Sequence, residues 1–467
     1  MSEKKSAIKD IKDVDLLISA GCMVTMNAKR DIIRNGAVAI QGTDIVAVGE
    51  AEDLRRQYRA RKTIDAPNGL LTPGLVDVHD HPVDYLIMGL CDETPQIVRL
   101  RDRVIPYEDG LSEEQAYASS VATFFDMLRH GTTSFMDGAG PRPGSVARAA
   151  LEMGIRAVVT RKTADCLSHF GGAVESFDQA IGQADALFDE FHGAGNGLIR
   201  VCYDLDQPAA ASDRLARTVR EHASQRGVGI VSHLIGRRPP GDIEGFRNAD
   251  VARYASLGLL GPHMTLAHIN WLPEADVRLL AETGTHIAHC PAATLLGGNG
   301  WITNGVIPNL VDAGANVGLG TDAAVISRFL DMTRVMYVTA CGHKEARSDP
   351  GIMRATQVFE MATLAGARAM GLVDRIGSLE PGKAADLAVF DATYWMPNRF
   401  GNPVCDLVYR NGSAPAQTVV VDGVVLLDNG QFTKEVDFDR LAASVDSATN
   451  GALDRLGIRP EPTWPIS

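Results

Sequence analysis

Apolar and polar positions follow one rhythm at both ends of the chain and another in the middle. From Val14 to Gly49, "VDLLISAGCMVTMNAKRDIIRNGAVAIQGTDIVAVG" runs as short β-branched stretches broken by Asn-Ala, Asn-Gly and Gly-Thr-Asp. From Gly377 to Gly430 the same style returns in "GSLEPGKAADLAVFD" and "AQTVVVDGVVLLDNGQ", with Asp422-Gly423 marking a hairpin between two apolar runs. Strands this short do not persist as a lone hairpin in water. The two ends are therefore expected to pair into one small β-sandwich domain, residues 1–70 with 372–467, the latter ending in a tail.

Between them, strand and helix signals alternate. The strand-like runs are "GLVDVH", "TTSFMDG", "IRAVVT", "LIRVCYD", "VGIVSH", "MTLAHI", "HIAHC" and "VGLGTD". The clearest helix pattern spans Ser112 to His130. Ser112 and Gln115 form a capping box, Tyr117, Val121, Phe124, Phe125 and Leu128 make an apolar stripe, and Gly131 ends it. A second pattern starts near Pro273, carries Val277 and Leu280, and stops at Gly284. Eight strands alternating with helices predict a (β/α)8 TIM barrel over residues 71–371 in an α/β chain. No G-x-G-x-x-G follows an early strand, which weakens a dinucleotide-binding alternative.

In such a barrel the reacting groups sit at the C-terminal ends of the strands. Strand one ends in His79 and His81, strand five in His233, strand six in His268, strand seven in His289 and strand eight in Asp322. Five of the 12 histidines thus fall on one edge, a concentration that chance does not explain. His79 and His81, two apart on a strand, project to the same side, so both imidazoles reach one ion. His233 and Asp322 complete a mixed nitrogen and oxygen shell from across the barrel. That set suits Zn²⁺, Co²⁺, Fe²⁺ or Mn²⁺ and leaves a position for water, whose pKa the metal lowers toward ~7.

Composition adds exclusions. The net charge of −13 argues against nucleic acid or an anionic membrane as the main partner. No run reaches the ~18 apolar residues of a membrane span, and the N-terminus has no apolar signal region. The seven cysteines are scattered without a C-x-x-C pair, which fits reduced thiols in a cytoplasmic protein and disfavours a cysteine zinc site.

Taken together, "PGLVDVHDH", "VSH", "TLAHINWLPEADVRLLAETGTHIAHCPAA", "LVDAGANVGLGTDAA" and "GSLEPGKAADLAVFD" resemble the amidohydrolase superfamily of metal-dependent hydrolases, almost end to end. In style the chain is similar to the branch of s-triazine chlorohydrolases and aminohydrolases, nucleobase deaminases, and phenylurea and thiocarbamate hydrolases. The resemblance implies His79, His81, His233 and Asp322 as ligands and His268 as the residue that hydrogen-bonds the reacting group. Homo-oligomers are frequent in that group.

Two departures follow from the resemblance. Deaminases of the branch carry a proton-shuttling glutamate three residues after the strand-five histidine, where this chain has Gly236. Glycine transfers no proton, and Glu244 has no local support as a substitute. This favours hydrolysis of an amide, urea, carbamate or thiocarbamate carbonyl in a small, partly apolar molecule, with Asp322 taking the water proton and His268 polarising the carbonyl. The alternative is an aminohydrolase or dechlorinase acting on a nitrogen heterocycle such as an s-triazine or purine. A barrel that had lost its chemistry is a third reading, opposed by the retained ligand set. Many members also hold a second metal through a carbamylated lysine on strand four, but "LIRVCYDLDQP" has no lysine, so one divalent metal is expected, zinc first among the candidates.

Lys162 reads either as a charge partner of Asp165 or Asp137, or as a substrate contact or bridging ligand. His289 reads as an outer-shell donor or a substrate contact. The longest loops, after strands one and seven, are expected to select the substrate, with Tyr85, Phe170, Trp271 and Trp301 as candidate apolar walls. Arg237 and Arg238 are the only adjacent basic pair near the expected site.

Overall fold

The computed structural model describes residues 11–167, 171–236, 251–396, 398–434, 438–459 and Trp464. Four strands open the chain: β1 (Lys12–Val24), β2 (Ile32–Gln41), β3 (Asp44–Glu50) and β4 (Tyr58–Pro73). The barrel strands follow as β5 (Leu75–Asp80), β6 (Thr132–Asp137), β7 (Arg156–Val159), β8 (Ile199–Val201), β9 (Tyr203–Asp204), β10 (Ile230–Gly236), β11 (Met264–Trp271), β12 (His286–His289) and β13 (Val317–Leu319). The chain returns to the first sheet with β14 (Leu387–Asp391), β15 (Ala416–Val421), β16 (Val424–Asp428) and β17 (Gln431–Phe432).

The end strands join in one sheet of order β17-β16-β15-β14-β4-β1-β2-β3. The junction is the antiparallel β4–β14 ladder, Leu71 opposite Val389. Side chains of one face, including Ile18, Val38, Ile64, Leu71, Val389 and Val420, form one buried cluster. Ile45 N–H donates to the Lys383 carbonyl at 2.8 Å, and Asp44 bridges Ala384, so the sheet wraps around that cluster.

The eight strand signals all appear in parallel pairing, as β5-β6-β7-β8 and β9-β10-β11-β12-β13. The fourth run breaks at Cys202, so β8 pairs with β7 and β9 with β10. Between β13 and β5 the ring closes through the Thr321 N–H, 3.2 Å from Asp77 Oδ1, and the Asp322 N–H, 2.9 Å from the His79 carbonyl. The Thr321 hydroxyl faces both the Asp77 and the Asp80 carboxyl groups. One hydroxyl proton cannot serve two carboxylates. Burial accordingly lifts both acids, Asp77 to about 7.

Helix signals are realised closely. The helix Glu113–Arg129 has Ser112 as N-cap with both capping-box hydrogen bonds to Gln115. Gly131 follows at φ +84°, where a Cβ would meet the Phe390 ring at 2.6 Å, so this glycine ends the helix and lets β14 approach. The second pattern forms Glu274–Thr283 with Gly284 left-handed at φ +72°. The C-terminal helix Phe438–Leu456 packs on the barrel helix, where Gln115 Nε2 donates to the Ala448 carbonyl at 3.1 Å. Arg156, 5% exposed, ties barrel to sheet with a two-pronged contact to Asp386 (2.7 and 3.1 Å) and a third bond to Asp422 at 2.8 Å. No helix among the described residues is long and apolar enough to cross a membrane.

Candidate metal centre and cavity

Strand alternation sends His79 and His81 to the same interior. His79 is fully buried, and neither of its ring nitrogens has a hydrogen-bond partner among the described residues. Ligand nitrogens of His79, His81 and His233 lie within 4.8 Å of one another, with His81 Nε2 and His233 Nε2 3.4 Å apart. Asp322 Oδ1 stands 3.8 Å from His79 Nε2 and 3.7 Å from His81 Nε2. The Asp206 carbonyl lies 3.0 Å from His233 Nδ1; a carbonyl only accepts, so that nitrogen donates and Nε2 is the one turned toward His81.

Electrostatics disfavour a charge on His79 and His81. Burial lowers His79 well below the usual imidazole range, helped by His233 and His81, and brings His81 to about 4. Burial works against ionisation of Asp322, but His268, His81 and the Ala323 N–H outweigh it and hold the carboxyl below its usual range. Three imidazoles and a carboxylate converging on one point, with His79 otherwise orphaned, fit a divalent transition metal. Cys290 approaches His79 and Asp322, but burial holds its thiol well above the ordinary range, so it stays protonated.

Backbone shape makes room for this centre. A Cβ on Gly138, just past β6, would stand 2.7 Å from His81 Nε2 and 2.8 Å from His79 Cε1. His268 and Asp322 both have left-handed backbones, at φ +76° and +60°. For His268 the cause is visible. The β10–β11 register moves from Leu234 opposite His268 to Gly236 opposite Trp271, placing one extra residue on β11. This bulge carries both strands beyond the expected ends at His233 and His268, and it aims His268 Nε2 at Asp322 Oδ2, 3.8 Å away. His268 is likewise kept neutral by burial, at about 4.

A cavity opens over the centre, walled by His81, His233, His268, Asp322, Lys162 and Trp301 among others. The Trp301 ring centroid lies 5.7 Å from that of His268. Lys162 does have a charge partner, but it is Asp206, with Nζ 3.7 Å from Oδ2, and not Asp165, which accepts from Ser212, nor Asp137.

Three candidates stand off the cavity wall. Tyr85 packs toward the barrel helices, where burial and Asp126 lift its phenol to about 12. Trp271 lies beyond the bulge, opposite Gly236. His289 is buried with Nε2 3.0 Å from His343 Nε2. Phe170, Glu244, Arg237 and Arg238 lie outside the described residues.

The wall also holds Asp84, Arg99, Glu108 and Asp206, which the sequence reading did not single out. Asp206 follows the fourth strand signal, so the strand-end rule contained it. Asp84 and Arg99 lie in the long loop after strand one, which offers no periodicity to rank its members, and Glu108 lies just past it. His343 gave no signal, being an ordinary mid-helix residue within Met332–Arg347.

Comparison with known proteins matches this architecture. The amidohydrolase family model covers residues 70–426. A 5-methylthioadenosine/S-adenosylhomocysteine deaminase of Syntrophobacter fumaroxidans is 33% identical over 428 residues, covering 91% of this chain and 95% of that protein. A 5'-deoxyadenosine deaminase of Methanosarcina acetivorans is 29% identical over 434 residues, covering 89% and 93%. Among solved structures, an adenosine deaminase from Xanthomonas campestris with bound zinc superposes with a TM-score of 0.86 at 27% identity, covering 95% of this chain and all of that one. Atrazine chlorohydrolase from Arthrobacter aurescens, complexed with zinc, shares the fold at TM-score 0.78 and 23% identity, covering 93% of this chain. The histidines and aspartate at the strand ends, the wrapped sheet built from both termini and these matches agree: the chain belongs to the amidohydrolase family and is a hydrolase acting on carbon–nitrogen bonds.

Proposed function

We propose that the protein is a zinc-dependent aminohydrolase that replaces an exocyclic amino group of an aminopurine-like heterocycle with oxygen from water and releases ammonia. The observation that carries this reading is the convergence of His79, His81, His233 and Asp322 beneath one cavity, in a chain whose relatives over about nine-tenths of its length are named as adenine-nucleoside deaminases. A metal held by these four groups supplies Lewis acidity that makes water nucleophilic near neutral pH.

The chain's own residues do the rest. Asp322, ionised and set between the ligand histidines and His268, accepts the proton lost by water and passes it to the departing amine. His268, held neutral by burial, hydrogen-bonds the group developing at the attacked carbon. Trp301 offers an aromatic face beside His268 for a flat ring. Gln96 and Asn299, also in the wall, supply amide donors and acceptors for ring edges.

Gly236 favours a second reading, the carbonyl hydrolysis expected from sequence, because no carboxylate stands at that position to protonate a ring nitrogen. A substrate panel decides between them. Zinc-loaded protein supplied with amino-heterocycles is expected to release one ammonia per turnover and to leave matched amides, ureas and carbamates intact. Amine and acid release from the second group, with no ammonia from the first, would replace the deaminase reading by the carbonyl one.

A further inference from the structure

Arg99 closes the four-residue helix Gln96–Arg99 and lines the cavity, yet it is 2% exposed. Its side chain makes no hydrogen bond and no ion pair among the described residues, and its Nε is buried without a partner. Its neighbours on the same segment are served: Arg101 pairs with Asp102, and Arg103 donates to the Leu90 carbonyl and Thr94 Oγ1. Guanidinium stays charged at any physiological pH. Holding that charge in so buried a place without a partner among the described residues is unfavourable, and an anion entering the cavity would relieve it. Burial pulls its pKa down, with Asp322 the principal opposing charge, so it sits within electrostatic reach of the reacting centre.

We propose that Arg99 is the specificity residue of the cavity and receives a carboxylate carried by the substrate. A guanidinium presents parallel N–H donors that match the two oxygens of a carboxylate. The rest of the wall argues for a single negative charge over a phosphate dianion. Asp84 and Glu108 stand in the same wall, and Lys162, the other cation there, is already engaged by Asp206. The substrate class thereby narrows from an aminated heterocycle to an aminated heterocycle bearing an acid group. This rests on the cavity being the substrate site, as the proposed function has it, but its test needs no turnover.

Nicotinate and nicotinamide have one shape and differ in charge. Calorimetric titration of zinc-loaded protein is expected to show nicotinate binding at least about tenfold tighter than nicotinamide. Arg99→Met should erase that difference, and Arg99→Lys should restore part of it. Inorganic phosphate should bind the wild type no more tightly than it binds Arg99→Met. Because the substitution removes a buried charge without a partner among the described residues, Arg99→Met should melt no lower than the wild type. Four outcomes overturn the proposal: equal binding of the two probes to the wild type, a preference that survives in Arg99→Met through direct metal contact, phosphate binding that depends on Arg99, or a marked loss of stability in Arg99→Met. Discrimination through Arg99 in a protein that releases no ammonia would sustain the carboxylate site and remove the deaminase reading alone.

Discussion

The Asp322 N–H donates to the His79 carbonyl at 2.9 Å, while Asp322 Oδ1 stands 3.8 Å from His79 Nε2. The same two residues therefore close the barrel through their backbones and face the candidate metal position through their side chains. Seam and centre share one geometry, so what disturbs one is felt by the other.

Replacing Asp322 with Asn keeps the backbone bond and the side-chain shape but removes the proposed proton acceptor. Turnover is expected to fall by at least ~10²-fold, the scale of a lost general base. The circular dichroism spectrum should be unchanged. Substantial residual kcat would remove Asp322 from the proton path.

Chelation tests the metal centre. A chelator should abolish ammonia release and lower the melting temperature, and added zinc should restore both, because a ligand bound to the native state alone stabilises it by mass action. His79→Ala should hold no stoichiometric metal by elemental analysis. Full metal content in that variant would refute the assigned ligand set.

Gly138→Ala probes room and not chemistry. Its Cβ would fall 2.7 Å from His81 Nε2, so the ring must turn away. Metal affinity is expected to drop about 10–100-fold, the range seen when a ligand's orienting surroundings are altered, with little change in the metal-free melting temperature. Unchanged affinity would show that His81 does not need its observed position.

Glu108 makes a pH-dependent prediction for the metal-free protein. Burial raises its carboxyl to about 7, with Asp206 adding to the shift and Lys162 opposing it. The native state then binds a proton that the unfolded chain, with its ordinary glutamate, releases near pH 4.5. Native stability from this group therefore falls as pH rises from about 4.5 to about 7 and stays low above that. Glu108→Gln removes the slope. The variant should melt higher than wild type at pH 8 and lose that advantage toward pH 5. A constant offset across this range would contradict the raised carboxyl.

Arg156 anchors barrel to sheet in a nearly dry site, bonded to Asp386 and Asp422. Arg156→Ala leaves those carboxylates buried without their partner and should cost about 3–5 kcal/mol in denaturant unfolding. An effect below ~1 kcal/mol would class the contact with surface pairs.

Most of this was legible in the chain because it depended on local rules. The barrel strands are short apolar runs, Ser112 and Gln115 cap a helix by side-chain chemistry, and His79 and His81 follow from strand alternation. The cavity wall was only partly legible. Trp301 and Lys162 reached it, whereas Tyr85 and Trp271 sit behind the elements that carry them. What sets those apart is the bulge on β11 and the course of the segment after β5, neither of which leaves a periodic trace. Arg99, Asp84 and Glu108 come to one cavity wall through that segment's path in space, and a buried guanidinium without a partner among the described residues is recognisable only once its surroundings are known.

The seating of β14 beside β4 has a consequence during synthesis. The β4 edge of the first sheet cannot be paired until the chain has been made through Asp391. At ~5–20 residues per second, the paired edge of β4 waits on the order of tens of seconds with its N–H and C=O groups uncovered. A nascent chain in that state offers an open strand edge to any neighbour able to add to it. Crowded ribosomes translating this message would thus be the place where the protein is most prone to aggregate, well before its centre exists.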